Sequence, residues 1–477
     1  MASRISQIKF GTDGWRAIMC DTFTFENVRL VVQAIAAYLL ANNKSDKGVI
    51  VGHDARFLGE RFAQEAAKVL IANGIKVYML PNDAPTPVIA YAVTQHQTAG
   101  AVVFTASHNP PEYNGIKYIP EYGGPATTEI TKAIESEVGL PVAEGAEAVD
   151  LPAARQKGRL EIIDPREEYF EHLNSLIDFP RIAESGLKMV CDPMHGSGRH
   201  YLADVLMANG CQVEMIRGNR DPLFGGGLPE PTAAQLAPLV ERVRESGSHL
   251  GLATDGDADR FGVIDGTGQY ITPNQVVALL LVHLVERRGY KGDVVRTVAT
   301  THLVDKLAAK YGLSVLETPV GFKYICEHMR KRPVIIGGEE SGGLSIAGHI
   351  PEKDGILANL LIAEMRAVWG ENLSSILNRI MANVGPVFSR RIDLRYPDEK
   401  KVSLLKKLVA APPEEIAGRK LVQITDIDGV KLVFDDGSWF LIRPSGTEPL
   451  LRVYIEAESE EKVEELQDAA ADIVHQH

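Results

Sequence analysis

The sequence predicts an α/β protein of three similar units with mostly parallel sheets, followed by a smaller C-terminal α+β unit. Three observations carry this reading. Short Val- and Ile-rich runs alternate with amphipathic stretches of helical length, the pattern of β-α-β units around a buried sheet. The alternation restarts near Leu187 and again near Asn274. The C-terminal stretch instead holds short strand candidates joined by Asp428-Gly429 and Asp436-Gly437, pairs that favour antiparallel hairpins.

In the first unit, 48–52 reads as a strand, 57–73 as a helix stopped by Gly74, 75–80 as a strand, 85–96 as a helix and 101–104 as a buried strand. The second unit runs strand 187–191, helix 198–209, strand 212–216, helix 233–245 and strand 249–253. The third gives helix 274–287, strand 293–298, helix 303–311 and strand 333–336. A helix at 403–409, strands around Val422, 431–434, 439–442 and 452–456, and a closing helix from Ser459 complete the pattern. The expected domains are 1–160, 161–272, 273–380 and 381–477, with the Ala/Glu/Pro-rich stretch 141–159 as the linker candidate.

A chain of 477 residues with 45% hydrophobic and 24% charged residues suits several globular domains rather than a disordered protein. Its 50 Lys and Arg against 63 Asp and Glu leave a net charge of −13, which disfavours nucleic acid and anionic membranes as partners. A bound phosphate therefore needs a local site. The longest apolar run, Val276 to Val285, contains His283 and is shorter than the ~20 residues a membrane helix needs. Cys20, Cys191, Cys211 and Cys326 are scattered without metal spacing, as expected of reduced thiols in a cytoplasmic protein. The sequence carries no signal for an oligomeric state.

In each of the three α/β units, one buried strand runs into an unusual polar loop: AVVF-TASHNP, LGLA-TDGDADR and VIIG-GEESGG. Ligands of open sheets bind beyond the carboxyl ends of strands, so the three loops are expected to face one cleft. Asp255, Asp257 and Asp259 could aim three oxygens at one hard cation, since three carboxylates at a buried strand end repel one another without one. An EF-hand is excluded by Arg260 at its sixth position and Gly266 at its twelfth. Ser107, just past a strand and beside His108, could be an exposed nucleophile. A serine hydrolase is disfavoured because the G-x-S-x-G elbow is absent there.

Arg443-Pro-Ser-Gly-Thr-Glu448, followed by Arg452, combines guanidinium forks, hydroxyls and an open glycine backbone into a candidate phosphate cradle. It is not a Walker loop. Arg16, Lys117, Arg260, Lys323 and Lys353 lie in or near the other loops as a basic supporting cast. A divalent-cation site, a hydroxyl nucleophile and clustered cations together point to phosphoryl transfer.

The motifs TASHNP, DGDADR, GEESGG and RPSGTEP, in that order and one per unit, make the chain resemble the α-D-phosphohexomutases over essentially its whole length. The resemblance implies a heart-shaped arrangement of four domains around a central cleft. It implies that Ser107 carries a phosphoryl group, gives it to a hexose phosphate and recovers one from the other end of a bisphosphorylated intermediate. One Mg²⁺ would be held by Asp255, Asp257 and Asp259 together with a Ser107 phosphoryl oxygen. Glu339 and Ser341 would grip sugar hydroxyls, and Arg443, Ser445, Gly446 and Thr447 the non-reacting phosphate, with Lys323 and Arg452 as further substrate-binding residues. Arg16 and Arg260 would stabilise charge at the reacting phosphate, and Lys117, His108 and Lys353 are the candidates for proton transfer.

Gly343 stands where the dual-specificity mannose/glucose branch typically carries His, and Lys353 in EKDG resembles the phosphoglucomutase branch. Val320 stands where glucomutases often have Thr. The expected reaction is interconversion of glucose 1-phosphate and glucose 6-phosphate, with glucose 1,6-bisphosphate as intermediate and activator. Mannose phosphate ranks second and glucosamine phosphate third. Release of the bisphosphate would make the protein a synthase using an external donor such as fructose 1,6-bisphosphate. A silent sugar-phosphate binder and a Mg²⁺-dependent phosphatase are the remaining alternatives.

Overall fold

The computed structural model describes residues 8–11, 13–445 and 448–475. The first sheet contains β1 (Trp15–Ile18), β2 (Val49–His53), β3 (Val77–Met79), β4 (Gly100–Phe104), β5 (Tyr113–Pro120) and β6 (Leu160–Ile162). Their order is β1-β5-β4-β2-β3-β6, parallel from β4 to β6 and antiparallel at the edge formed by β5 and β1. The second sheet holds β7 (Lys188–Asp192), β8 (Gln212–Met215), β9 (Leu250–Thr254), β10 (Phe261–Asp265) and β11 (Tyr270–Ile271), ordered β11-β10-β9-β7-β8. The third holds β12 (Asp293–Thr297), β13 (Val315–Thr318), β14 (Val334–Gly338) and β15 (Leu344–Ile346), ordered β13-β12-β14-β15.

All three sheets follow one rule. A parallel strand buried at every position, β4, β9 or β14, turns back through a polar loop into an antiparallel neighbour, β5, β10 or β15. The loops thus lie at carboxyl ends of central strands, as the sequence predicts, but each closes a hairpin. Lys117, read from sequence as a basic residue beside the loops, sits inside β5 opposite Val103.

The linker expected at 141–159 is instead built into the first unit. Ala146 and Ala154 are buried in the core around Val31, Phe62 and Leu70, a helix forms at Leu151–Gln156, and β6 then joins the sheet beside β3. The first sheet therefore continues through Ile162.

One apolar core runs through all three α/β units, from Val88 and Ile89 of the first to Leu252 of the second and Ile336 of the third. Its centre is the helix Gly355–Trp369, in which Leu357, Leu360 and Leu361 have no exposed surface. Burying each such side chain contributes roughly 2 kcal/mol. The helix begins where Asp354 accepts hydrogen bonds from the backbone N–H groups of Ile356 and Leu357, both at 2.9 Å. Lys353 precedes that cap and is fixed with it.

The C-terminal unit is an antiparallel sheet of β16 (Phe388–Arg395), β17 (Glu415–Ile416), β18 (Arg419–Thr425), β19 (Val430–Phe434), β20 (Trp439–Pro444) and β21 (Leu450–Ala457). The order is β16-β21-β20-β19-β18-β17. Asp428-Gly429 and Asp436-Gly437 form the β18–β19 and β19–β20 turns. Helices Asp398–Ala410 and Glu460–His475 cover the sheet through Leu404, Leu408, Val463 and Leu466.

Candidate active site

The three hairpin loops interlock. Gly256 leaves no room for a side chain, because a Cβ there would stand 2.5 Å from the Ser107 carbonyl oxygen. The Thr86 N–H donates to the Asp257 carbonyl at 2.9 Å, and the Phe261 N–H donates to the Gly342 carbonyl at 3.2 Å. The aspartate loop is thereby held between the serine loop and the GEESGG loop.

Ser107 is almost fully buried and adopts a left-handed backbone with φ 50°. Its Oγ donates to Asp255 Oδ2 at 2.9 Å and lies 3.2 Å from His108 Nδ1. Asp255, Asp257 and Asp259 are fully buried, and each offers an oxygen within 4.8 Å of the others. The Oδ1 atoms of Asp257 and Asp259 are buried without a hydrogen-bond partner. Burial and then the charges of Asp257 and Asp259 push Asp255 well above the usual carboxylate range. Burial opposes ionisation of Asp257 too, but Lys117, Thr86 and Lys353 outweigh it and hold that group low. A set of three buried carboxylates, two with an orphaned oxygen and one whose ionisation is opposed by burial and its two neighbours, fits a divalent cation such as Mg²⁺, whose charge would favour the ionised form of all three.

Two buried lysines complete the charge cluster. Lys117 Nζ lies 2.8 Å from Asp13, 3.0 Å from Asp257 and 2.9 Å from Asp259. Lys353 Nζ lies 3.1 Å from Asp13 and 3.0 Å from Asp259. Burial alone would favour neutral amines, yet these carboxylates raise both lysines above their ordinary value. The depressed lysine pKa that a base requires is not what this arrangement produces. His108 goes the other way: burial and then Arg260, Arg16, Lys353 and Lys117 hold it well below 6.5, hence uncharged at neutral pH. Asp13, in the same FGTDGWR segment as Arg16, is not legible as a site residue in the sequence, because its role depends on two lysines more than 100 residues away.

Arg16 donates to Asn109 Oδ1 at 2.8 Å, and Arg260 pairs with Glu230 at 3.2 Å. Glu339 accepts from the Gly321 N–H at 3.0 Å, and burial pushes its carboxyl up to about 7. Ser341, two residues further along the same loop, is half-buried. A Cβ at Gly343 would lie 2.5 Å from Lys353 Cδ, so a larger residue would displace that lysine. Half-buried Lys323 lies over the Tyr324 ring, 5.2 Å from its centroid.

The C-terminal candidates form a second cluster. Arg443 on β20 stands directly opposite Arg452 on β21. Like charges facing each other across strands are destabilising, and a bound anion relieves that repulsion. Arg443 Nε donates to Asp428 Oδ2 at 2.8 Å, and the same oxygen accepts from the Val320 N–H of the third unit at 3.0 Å. Arg452 lies 3.4 Å from Glu448. The Ser445 carbonyl accepts from Lys401 at 3.0 Å. Gly446 and Thr447 lie outside the described residues.

The structure therefore gathers Arg16, Ser107, His108, Lys117, the three aspartates, Arg260 and Lys353 into one buried centre bordered by Glu339. Arg443, Ser445 and Arg452 belong to the second cluster, joined to the first through Asp428, Val320, Gly321 and Glu339.

Profiles of the phosphoglucomutase/phosphomannomutase family match the chain four times: alpha/beta/alpha domain I at residues 7–139, domain II at 167–268, domain III at 272–384 and the C-terminal domain at 392–473. The phosphoglucomutase/phosphomannomutase of Thermococcus kodakarensis is 32% identical over 96% of each chain. A phosphoglucosamine/phosphogalactosamine mutase of Sulfurisphaera tokodaii is also 32% identical, over 94% of this chain and 95% of the relative. A crystal structure of a candidate phosphomannomutase from Thermus thermophilus superposes with a TM-score of 0.85 at 34% identity, covering 98% of this chain and 99% of that one. The chain thus belongs to the phosphoglucomutase/phosphomannomutase family of phosphohexomutases, enzymes that move a phosphoryl group within their substrate.

Proposed function

We propose that the protein interconverts the 1-phosphate and 6-phosphate of a hexose, glucose in the first place, through a phosphoserine at Ser107 and a hexose 1,6-bisphosphate. The observation that carries this reading is Ser107 Oγ, presented from a left-handed turn and hydrogen-bonded to the acidic triad. In the forward step the bond between Ser107 Oγ and phosphorus breaks as a sugar oxygen bonds to that phosphorus. The sugar hydroxyl gives up its proton, and the bisphosphate then returns its other phosphoryl group to Ser107. His108 is the proposed acceptor of that proton, because its Nδ1 lies 3.2 Å from Ser107 Oγ and burial and the neighbouring cations hold it below its ordinary value.

Asp255, Asp257 and Asp259 would hold one Mg²⁺, which supplies Lewis-acid neutralisation of charge on the transferring group. Arg16, Arg260 and the two lysines place fixed positive charge around the same point, so little reorganisation is needed as charge shifts. Glu339 and Ser341 would bind the sugar hydroxyls with Lys323 nearby. Arg443, Ser445, Gly446, Thr447 and Arg452 would hold the distal phosphate.

Glucose is favoured by the resemblance of Gly343 in GEESGG and Lys353 in EKDG to the phosphoglucomutase branch. Mannose phosphate is the second reading, supported by the glucose/mannose relative at 32% identity and the candidate phosphomannomutase structure at 34%, and an aminohexose phosphate the third, supported by the aminosugar mutase at 32%. Four free thiols, three of them buried, suit a reducing cytoplasm.

The test is phosphorus NMR of purified protein with glucose 1-phosphate, Mg²⁺ and a trace of glucose 1,6-bisphosphate. Growth of glucose 6-phosphate is expected. No conversion of glucose, mannose or glucosamine 1-phosphate would overturn the mutase reading. Accumulating bisphosphate with fructose 1,6-bisphosphate as donor would mark a synthase, and free phosphate a phosphatase.

A further inference from the structure

Ser107 occupies a backbone conformation that costs a non-glycine residue energy and persists only where its surroundings impose it. Those surroundings converge on Arg56, which has no exposed surface. Its Nη1 donates to the carbonyls of Pro110 at 2.8 Å and Tyr113 at 3.0 Å. Its Nη2 donates to those of Ser107 at 2.7 Å and Asn109 at 2.6 Å. One guanidinium thus ties four carbonyls of the serine loop together. Burial lowers Arg56 below its ordinary value, opposed by the charge of Asp54, whose Oδ2 lies 3.2 Å from Nε.

A second path reaches the same serine. Asp54 Oδ2 accepts from Thr105 Oγ1 at 2.6 Å, and Thr105 Oγ1 accepts from the Ser107 N–H at 2.8 Å. Both polar ends of the Ser107 backbone are therefore held by one buried Asp54–Arg56 pair. The second α/β unit locks that pair in turn: Arg220 donates to the Ala55 carbonyl at 3.2 Å, and the Phe224 ring centroid lies 5.0 Å from the Arg56 guanidinium carbon.

We infer that Arg56, with Asp54 and Thr105, is a positioning device that fixes Ser107 Oγ for phosphoryl transfer while acting only through the loop backbone. The inference rests on the phosphoserine reading above. Planar fork geometry is what the role requires, since a lysine ammonium cannot serve four diverging carbonyls.

The test compares Arg56→Lys, Arg56→Met and Thr105→Val with the intact enzyme. Displacing a reacting atom by about 1 Å costs about 100-fold in rate. Arg56→Lys should therefore lower both kcat and the rate of Ser107 phosphorylation from glucose 1,6-bisphosphate by about that factor. Arg56→Met should lose more. Calorimetric affinity for glucose 6-phosphate should change much less than kcat, because the distal cradle is untouched. Thr105→Val, which keeps shape and spares the arginine, should lower the phosphorylation rate about tenfold.

A purely structural role would lower the melting temperature and leave the phosphorylation rate of folded protein intact, and that result in Arg56→Lys or Thr105→Val would overturn the inference. Should the arginine variants fail to fold, Thr105→Val decides alone. Phosphate from glucose 1,6-bisphosphate that never appears on Ser107 of the unaltered enzyme would overturn the phosphoserine reading itself. Normal labelling of the unaltered enzyme and equal labelling of the variants would overturn only the clamp.

Discussion

The two ends of the site are built in opposite ways. At the reacting end, three loops from three sheets interlock, and the titratable groups are buried and cross-paired. At the distal end, two arginines face each other on one antiparallel sheet, and the Asp428 carboxylate joins Arg443 to the neighbouring unit. Phosphoryl transfer needs charges fixed before the reaction, because their reorganisation would add to the barrier. A phosphate-binding end that must accept a substrate in either orientation gains from being able to open. Changes at the reacting end should therefore appear in kcat, and changes at the distal end in KM.

The largest effect tests the reacting end directly. Ser107→Ala should lower kcat on the order of 10,000-fold or more while calorimetry still detects hexose phosphate binding. Measurable turnover without the hydroxyl would remove the phosphoserine and break the contrast at its root. Asp257→Ala should give a comparable loss, together with loss of Mg²⁺ binding read by titration calorimetry. Full activity of the unaltered protein in chelator would make the triad structural.

Next comes His108→Gln, expected to cost about 100-fold in kcat, as removal of a general base does. Burial and neighbouring cations lower its pKa, so it is deprotonated and competent at every pH above that depressed value. The acid limb of kcat against pH should accordingly fall well below pH 6.5 and vanish in the variant. A limb that persists unchanged in His108→Gln would assign the proton to another group.

Arg443→Ala carries the comparison to the distal end. Losing a charge-assisted phosphate contact should raise KM about tenfold to a hundredfold for both monophosphates, with kcat less affected. An equal loss in kcat would show that the cradle also organises the transition state.

How much of this contrast the sequence reveals follows from which interactions are local. The three α/β loop motifs, the Asp-Gly hairpins and most central strands are local patterns, and the structure places them close to their expected positions. The helices Phe25–Ala41 and Gly355–Trp369 escape a sequence reading because they are buried over much of their circumference, which removes the contrast between faces on which periodicity depends. The hairpin strand β5 escapes because a buried lysine interrupts its apolar run, and Lys117 is tolerable there only through Asp13, Asp257 and Asp259. Arg56 looks like any arginine after a strand. Its four carbonyl partners become neighbours only when the chain folds back.

A smaller effect probes the boundary between the ends. Burial raises Glu339 to about 7 in the folded state, above the ordinary 4.5 expected when unfolded. The protonated form is thus favoured by folding, and the associated stability is fully present below about pH 4.5 and is lost as pH rises through about 7. Metal-free protein in chelator should lose up to about 1 kcal/mol per pH unit from this group across that window, and Glu339→Gln should flatten the dependence. Denaturant melts at pH 5, 6, 7 and 8 read the difference. Identical slopes in both proteins would show that Glu339 keeps its ordinary value.

The smallest effect belongs to the link between the units. Asp428 Oδ2 holds both Arg443 Nε and the Val320 N–H, and Gly321 next to Val320 holds Glu339. The Asp428 and Arg443 side chains are 23% and 15% exposed, so solvent and salt weaken the pair, and exposed pairs are worth only about 0.2–1 kcal/mol. Asp428→Ala should then raise KM about two- to fivefold, far less than Arg443→Ala. Added salt should shrink the difference between the variant and the intact enzyme. A KM increase matching that of Arg443→Ala and insensitive to salt would mean that the distal end is fixed as rigidly as the reacting end, and the contrast between them would fall.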